Sequence, residues 1–346
     1  MIHIQDWRRS TPEEIEPLLA LEREAWLRDL DWDVRAAWQA VEPARRAGTL
    51  SGFVAKDDHG RLAGWTSFLL HHDNVQVLAF VSPAADTTSA LLDAIRASEE
   101  CAAADAVLFC VRSAADSLAE ALASRGFRVE PYRYLAADLG RYDKGDGSDR
   151  SKERTDAVSI SSSRGAMRLW SGDGERLARL LARAYEGELT TRAFAPHGSA
   201  AEWTEYVVTL LTTTGCGRFL PGLSVVAPSA HGQALAGAIV VTDLAPGTSH
   251  VAQIAVDPVE RGRGLGGRLL SSAMSAAASA GYARMTLLVA TSNGPARGLY
   301  ERAGFRDRST FVIARADRDA RLNTYEPRGS THASGALNRT VGSVPR

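Results

Sequence analysis

The sequence predicts an α/β (α+β) protein made of two copies of one unit, and three observations predict it. A strand pattern, a glycine-rich turn, a long helix pattern and a second strand pattern follow one another between residues 251 and 289. Two markers recur along the chain. Val81-Ser82-Pro83 matches Val256-Asp257-Pro258, and Ser124-Arg125-Gly126-Phe127 matches Arg302-Ala303-Gly304-Phe305. The markers lie 46 residues apart in the first half (Val81 to Phe127) and 49 in the second (Val256 to Phe305), which indicates duplication. A polar stretch over 141–165, rich in Gly, Ser and Asp, cannot bury a core and divides the copies.

The expected organisation is a first domain over 1–140, a linker over 141–165, a second domain over 166–320 and a polar tail over 321–346. Strand-like runs precede each marker, over Leu62–Leu70 and Ala234–Val241. In the second half the strand Val251–Val256 stops at Asp257-Pro258, because proline removes a ladder donor. The following helix places Leu265, Leu269, Ala273, Ala276 and Ala280 on one face and ends at Gly281; the strand Met285–Val289 comes next.

Composition narrows the function. Forty basic residues against 41 acidic give no field for capturing nucleic acid or an anionic membrane. No apolar run reaches the length of a membrane span, and Met1-Ile2-His3-Ile4-Gln5-Asp6 lacks signal-peptide character, so a cytoplasmic protein is expected. Cys101, Cys110 and Cys216 have neither metal nor disulfide spacing and read as buried small side chains. His71-His72-Asp73-Asn74 falls between two strand patterns and reads as a turn; no metal is expected.

The segment Arg261-Gly262-Arg263-Gly264-Leu265-Gly266 opens the long helix. The first amides of a helix have no internal acceptor and sit at the positive end of its dipole, so a glycine-rich turn there forms an anion cradle. The dinucleotide fingerprint does not fit, because five residues separate the strand from the first glycine and no acid follows at the next strand end. The P-loop does not fit either, since no Lys-Ser or Lys-Thr follows the glycines.

Downstream come Asn293-Gly294-Pro295-Ala296, Leu299-Tyr300-Glu301 and Ala303-Gly304-Phe305. Together with Val256-Asp257-Pro258 and the Arg-x-x-Gly-x-Gly turn, this order over about 220–315 resembles the GCN5-related N-acetyltransferase (GNAT) superfamily. The resemblance implies two GNAT-like domains in tandem, each a splayed, mixed, mostly antiparallel sheet flanked by helices, with acyl-CoA in the splay. It implies that backbone groups of Ile254, Ala255 and Val256 pair with the pantetheine arm. The amides of Arg261, Gly262, Arg263, Gly264, Leu265 and Gly266 would hold the pyrophosphate, and Asn293 would bond the cofactor arm, cap its helix, or both.

Within this resemblance Tyr300 is the expected acid towards the departing thiolate, its alternative being a packing role. His250, at the start of the preceding strand, is the expected base for the amine; its alternative is an edge histidine satisfied by solvent or a turn. Glu186 and Glu188 are candidates for attracting a cationic amine. The first half has Ala84-Ala85-Asp86-Thr87-Thr88-Ser89 in place of the glycine turn. Gap-free counting from the markers puts Val75, Ala115 and Leu122 opposite His250, Asn293 and Tyr300. One site per chain is therefore expected, in the second half.

The expected activity is acetyl transfer from acetyl-CoA to a primary amine in a ternary complex, by a monomer or homodimer, with a small-molecule acceptor favoured over a protein. The tandem arrangement with the active copy second is similar to that of mycothiol synthases, which implies acetylation of a cysteinyl pseudo-disaccharide as an alternative. A non-catalytic acyl-CoA sensor is a third reading. The acceptor region, about 185–217, matches no motif.

Overall fold

The computed structural model describes residues 1–71, 73–112, 117–140, 167–187, 194–230 and 234–318. The expected linker and tail, together with His72, Ala115 and Glu188, lie outside the described residues. The first half runs β1 (His3–Asp6), α1 (Pro12–Leu30), α2 (Arg35–Trp38), α3 (Val41–Arg46), β2 (Ser51–Lys56), β3 (Leu62–His71), β4 (Asn74–Val81), α4 (Ala85–Arg96), α5 (Glu99–Ala103), β5 (Ala106–Arg112), α6 (Ser117–Ala123) and β6 (Arg128–Asp138). The second runs β7 (Arg168–Leu169), α7 (Gly174–Ala184), α8 (Ala200–Thr212), β8 (Arg218–Phe219), β9 (Val225–Pro228), β10 (Leu235–Ala245), β11 (Thr248–Val256), α9 (Leu265–Ser279), β12 (Arg284–Ala290), α10 (Gly294–Ala303) and β13 (Arg306–Asp317).

Local chemistry sets the helix ends. α1 starts at a capping box in which Thr11 and Glu14 satisfy each other's backbone, with Pro12 in the first turn. Ser199 and Glu202 do the same for α8. The Gly-Phe marker is a helix stop in both halves. Gly126 and Gly304 adopt φ of +81° and +98°, and the amides of Phe127 and Phe305 bond back to the carbonyls of Leu122 and Tyr300.

All the strands form one sheet, in the order β1-β2-β3-β4-β5-β13-β6-β12-β11-β10-β9-β7, with β8 also on β10. Among the described residues only β4–β5 and β11–β12 are parallel, so the sheet is mixed and mostly antiparallel as expected. The order contains an exchange. The last strand of the second half, β13, pairs with β5 of the first, and the last strand of the first half, β6, pairs with β12 of the second. β6 and β13 then pair with each other from Arg306↔Ala136 to Arg315↔Arg128. Although each half has its own core, the two are hydrogen-bonded into a single unit.

The duplicated geometry goes beyond the sequence markers. On β4 a bulge leaves Leu78 unpaired, and on β11 another leaves Ala252 unpaired, each directly after the last parallel pair. Those last pairs are Val77↔Phe109 and Val251↔Leu287; beyond them the strands part. The bulges align His250 with Gln76, not with Val75 as gap-free counting expects. A further pair of equivalents is Gly64 and Gly237, on the strands beneath α4 and α9. A Cβ at Gly64 would lie 2.7 Å from the Val81 carbonyl oxygen and 2.8 Å from Thr87; one at Gly237 would lie 2.9 Å from Leu269. Each glycine lets its helix sit close on the sheet.

Side chains from α9, including Leu265, Leu269, Leu270, Ala273 and Met274, cover one face of the second half together with Tyr300 and Phe305. α7 and α8 cover the other through Leu177, Leu181, Trp203 and Val207. Each large apolar side chain so buried contributes roughly 1.5–3 kcal/mol. In the first half α4, α5 and α6 occupy one face. The end of α1 crosses onto the exchanged strands, where Leu30, Trp32 and Val34 pack with Tyr134, Phe311, Leu244 and Ala290. Gly64→Ala is expected to cost about 1–3 kcal/mol through overpacking against backbone; a denaturant midpoint equal to wild type would refute the close approach.

Candidate active site

The cradle is built as the residue types require. After β11, Asp257 caps a short 3-10 turn, Pro258–Glu260. Gly262 and Gly264 then adopt φ of +76° and +74°, a region that disfavours side chains, and α9 begins at Leu265. No side chain caps α9 and no acid lies in its first turn, so its leading amides are left for an anion. The two loop arginines have structural work. Arg261 donates to the Ala184 carbonyl at 2.6 Å and to that of Val256 at 3.4 Å, and Arg263 pairs with Glu260 at 2.9 Å. Arg183, near the end of α7, pairs with Asp257 at 2.8 Å. The cradle is thus tied to α7 from both of its ends.

Past Val251 the strands β11 and β12 diverge, leaving Ala252 to Val256 beside the opening. There the carbonyl of Ile254 accepts from the Tyr185 hydroxyl at 3.4 Å, and Gln253 Nε2 donates to that hydroxyl at 3.0 Å. Tyr300 lies on α10, 5% exposed, with its ring edge-on to Phe305 at 5.9 Å. Burial pushes its phenol well above the ordinary value, and the nearby Tyr185 phenol adds to the shift. Tyr300 therefore holds its proton across the working pH range. Tyr185 and Gln253 join this group without a sequence motif to announce them. Asn293 caps α10, its Oδ1 accepting from the Ala296 amide at 3.2 Å, so the capping alternative holds for that oxygen.

His250 does not occupy the position expected of a base. The strand starts at Thr248, two residues before it, and His250 lies in the paired section facing the junction of the halves. It is 4% exposed, stacked on Tyr134 at 6.0 Å and tilted against Trp32 at 5.4 Å, with Nδ1 2.9 Å from Thr286 Oγ1. Burial lowers its pKa to about 3, so it is neutral and a weak base. The solvated alternative is also excluded, because the first half covers this face.

In the first half the counterpart of the cradle is filled. α4 begins two residues after Pro83, against seven from Pro258 to α9. Asp86 accepts from the Thr87 amide at 2.7 Å, so a carboxylate occupies a leading amide of that helix. Thr87 and Thr88 are buried beneath the same end of α4.

The cysteine expectation needs correction. Cys101 is buried, but Cys110 and Cys216 both present accessible surface. Although far apart in sequence, they come close enough to interact electrostatically. Glu186 is exposed. His71, at the end of β3, pairs with Glu205 of α8 at 3.4 Å and so links the halves.

A buried neutral histidine makes stability depend on pH. The unfolded imidazole binds a proton near its ordinary 6.5, the folded one near 3, so stability is complete above pH 6.5 and is lost as pH falls below it. This group alone is expected to cost about 2 kcal/mol by pH 5. Chemical melts of wild type and His250→Asn at pH 7.5 and 5 measure it: the wild type should lose more stability on acidification, and equal losses would contradict the assignment.

Residues 179–305 match the acetyltransferase (GNAT) family model. Among solved structures, the fold is similar to a GCN5-related N-acetyltransferase from Sphaerobacter thermophilus, with TM-score 0.60 and 16% identity over 91% of this chain and 95% of that one. It is also similar to a tandem GNAT protein from the clavulanic acid biosynthesis pathway, with TM-score 0.57 and 18% identity over 92% and 98%. A third similar structure is a GCN5-related glucosamine N-acetyltransferase region of a fungal multi-domain β-N-acetylglucosaminidase, with TM-score 0.55 and 16% identity over 91% of this chain and 38% of that one. No curated protein matches the sequence. The second half thus carries a GNAT acetyltransferase domain over residues 179–305, and the fold of the similar structures extends over nearly all of the chain.

Proposed function

We propose that the second half transfers an acetyl group from acetyl-CoA directly to a primary amine, with one active site per chain. The observation that carries this reading is the uncapped start of α9 behind two left-handed glycines, next to the opening of β11 from β12. The amides of Leu265 to Gly267 bind the pyrophosphate. The backbone of Ile254 to Val256, beyond the last β11–β12 pair, orients the pantetheine arm along the strand. The first half, with Asp86 in its own helix start, has no equivalent cradle.

Tyr300 manages the leaving group. As the amine nitrogen bonds to the thioester carbon and the carbon–sulfur bond breaks, the thiolate takes the phenolic proton. The proton on the new amide nitrogen returns through water to the phenolate, so the cycle needs no second titrating side chain. A raised phenol pKa makes Tyr300 a weaker acid, but the same dry surroundings raise the basicity of the thiolate. Removal of His250 from the mechanism has a kinetic consequence: the amine must enter neutral, and kcat/KM should follow the amine's own titration. A tandem arrangement does not by itself select an acceptor.

Two substitutions test the reading by thiol release. Tyr300→Phe should lower kcat by about a hundredfold, the range of general acid catalysis, with little change in KM for acetyl-CoA; full rate in this variant excludes the acid role. Gly264→Val places a branched side chain at φ +74° and should raise KM for acetyl-CoA at least tenfold. Acetyl-CoA binding without turnover on a broad amine panel would favour the sensor reading.

A further inference from the structure

The acetyl-transfer reading leaves the acceptor open, and the junction of the halves supplies a place for it. Cys110 on β5 is the first residue beyond the last β4–β5 pair, and it sits opposite Ile313 of β13. Tyr132 on β6 sits opposite Phe311 of the same strand. Directly opposed residues share a face of a sheet, and so do residues two apart, so Cys110 and Tyr132 project on the face that bears Phe311 and Ile313. The second half reaches that face through Phe194, which packs against the cluster that holds Tyr132, Phe311 and Ile313. Glu205 of α8 meets His71 of the first half at 3.4 Å, and Tyr206 is the next residue. The Tyr206 ring lies 5.4 Å from Phe194 and 5.7 Å from Trp203, on which Tyr185 stacks at 5.5 Å. Cys216 follows α8, its carbonyl accepting from Thr242 Oγ1.

These groups form one lining. Desolvation dominates the rise of the Tyr206 phenol, and the groups of Cys216, Tyr185, Cys110 and Tyr132 also bear on it. Tyr185 belongs also to the reaction centre, through Gln253, Ile254 and Tyr300. Cys110 and Cys216 keep accessible surface, yet their surroundings push the thiols up to about 12 and about 11. Accessible surface together with strong desolvation is the signature of a deep recess, not of an outer surface. Phenols, neutral thiols and indole favour an uncharged body over a polycation.

Resting on the acyltransfer reading, we propose that the recess walled by Cys110 and Tyr132 of the first half and by Tyr185, Tyr206 and Cys216 of the second binds the body of the acceptor, a primary amine on an uncharged, ring-bearing carbon skeleton. The degenerate half then supplies part of the specificity of the active one. Its test uses the full chain and 2-phenylethylamine, with spermidine as the polycationic comparison. Slow alkylation by N-ethylmaleimide at pH 8.5, located by mass spectrometry, should label Cys110 and Cys216 ahead of buried Cys101, and 2-phenylethylamine should slow both at least threefold while spermidine does not. In thiol-release assays Cys110→Phe should raise KM for 2-phenylethylamine at least tenfold while KM for acetyl-CoA moves less than twofold. Cys216→Phe gives a second, independent filling of the same space should the first variant not fold. Protection without turnover of any amine supports the recess and removes the acyltransfer reading. Turnover of amines with no protection, and with an unaltered amine KM in both variants, overturns the recess and leaves acetyl transfer standing.

Discussion

Everything in this molecule depends on the antiparallel pairing of β6 with β13 at the centre of the sheet. Each is the last strand of its half, and each is inserted next to the other half's parallel pair. A strand buried between two partners has both rows of its backbone groups satisfied, which neither half achieves alone at that edge. The end of α1 seals the exchange: the Tyr134 hydroxyl donates to the Leu30 carbonyl at 2.8 Å, the Asp33 amide bonds the Leu244 carbonyl at 3.0 Å, and Arg284 of β12 pairs with Asp31. The halves consequently fold as one body, and the half without a cradle still shapes the other.

The division of labour follows from small local differences on a shared scaffold. Both halves keep the bulge, the parting strands, the close strand glycine and the Gly-Phe helix stop. They differ in the length and composition of one loop. Seven residues with two left-handed glycines leave helix amides open, whereas two residues and Asp86 close them. The retained splay of the first half serves a different end, since it brings Cys110 to the recess between the halves.

Features encoded over a few residues were legible in the sequence. The glycine turn, the helix it opens, the Gly-Phe stops and the bounds of the central strands to within four residues depend on backbone preferences that neighbouring residues determine. The strand exchange was not legible, because the alternation along Arg128–Asp138 fixes a face but names no partner. His250 was misjudged for the same reason: its position on the strand was readable to within two residues, but the Trp32 and Tyr134 that cover it come from the other half. Cys110 and Cys216, over 100 residues apart in the chain, are brought together only by that docking. Tyr185 and Gln253 carry no motif, and their role depends on how α7 lies over β11.

The most direct test is the count of acetyl-CoA molecules bound per chain, read by native mass spectrometry during titration of the full-length protein. One bound molecule at saturation, lost in Gly264→Val and unaffected by Asp86→Ala, is the predicted result. Two per chain, or one that survives disruption of the Gly262–Gly264 turn, would contradict the assignment of a single cradle to the second half.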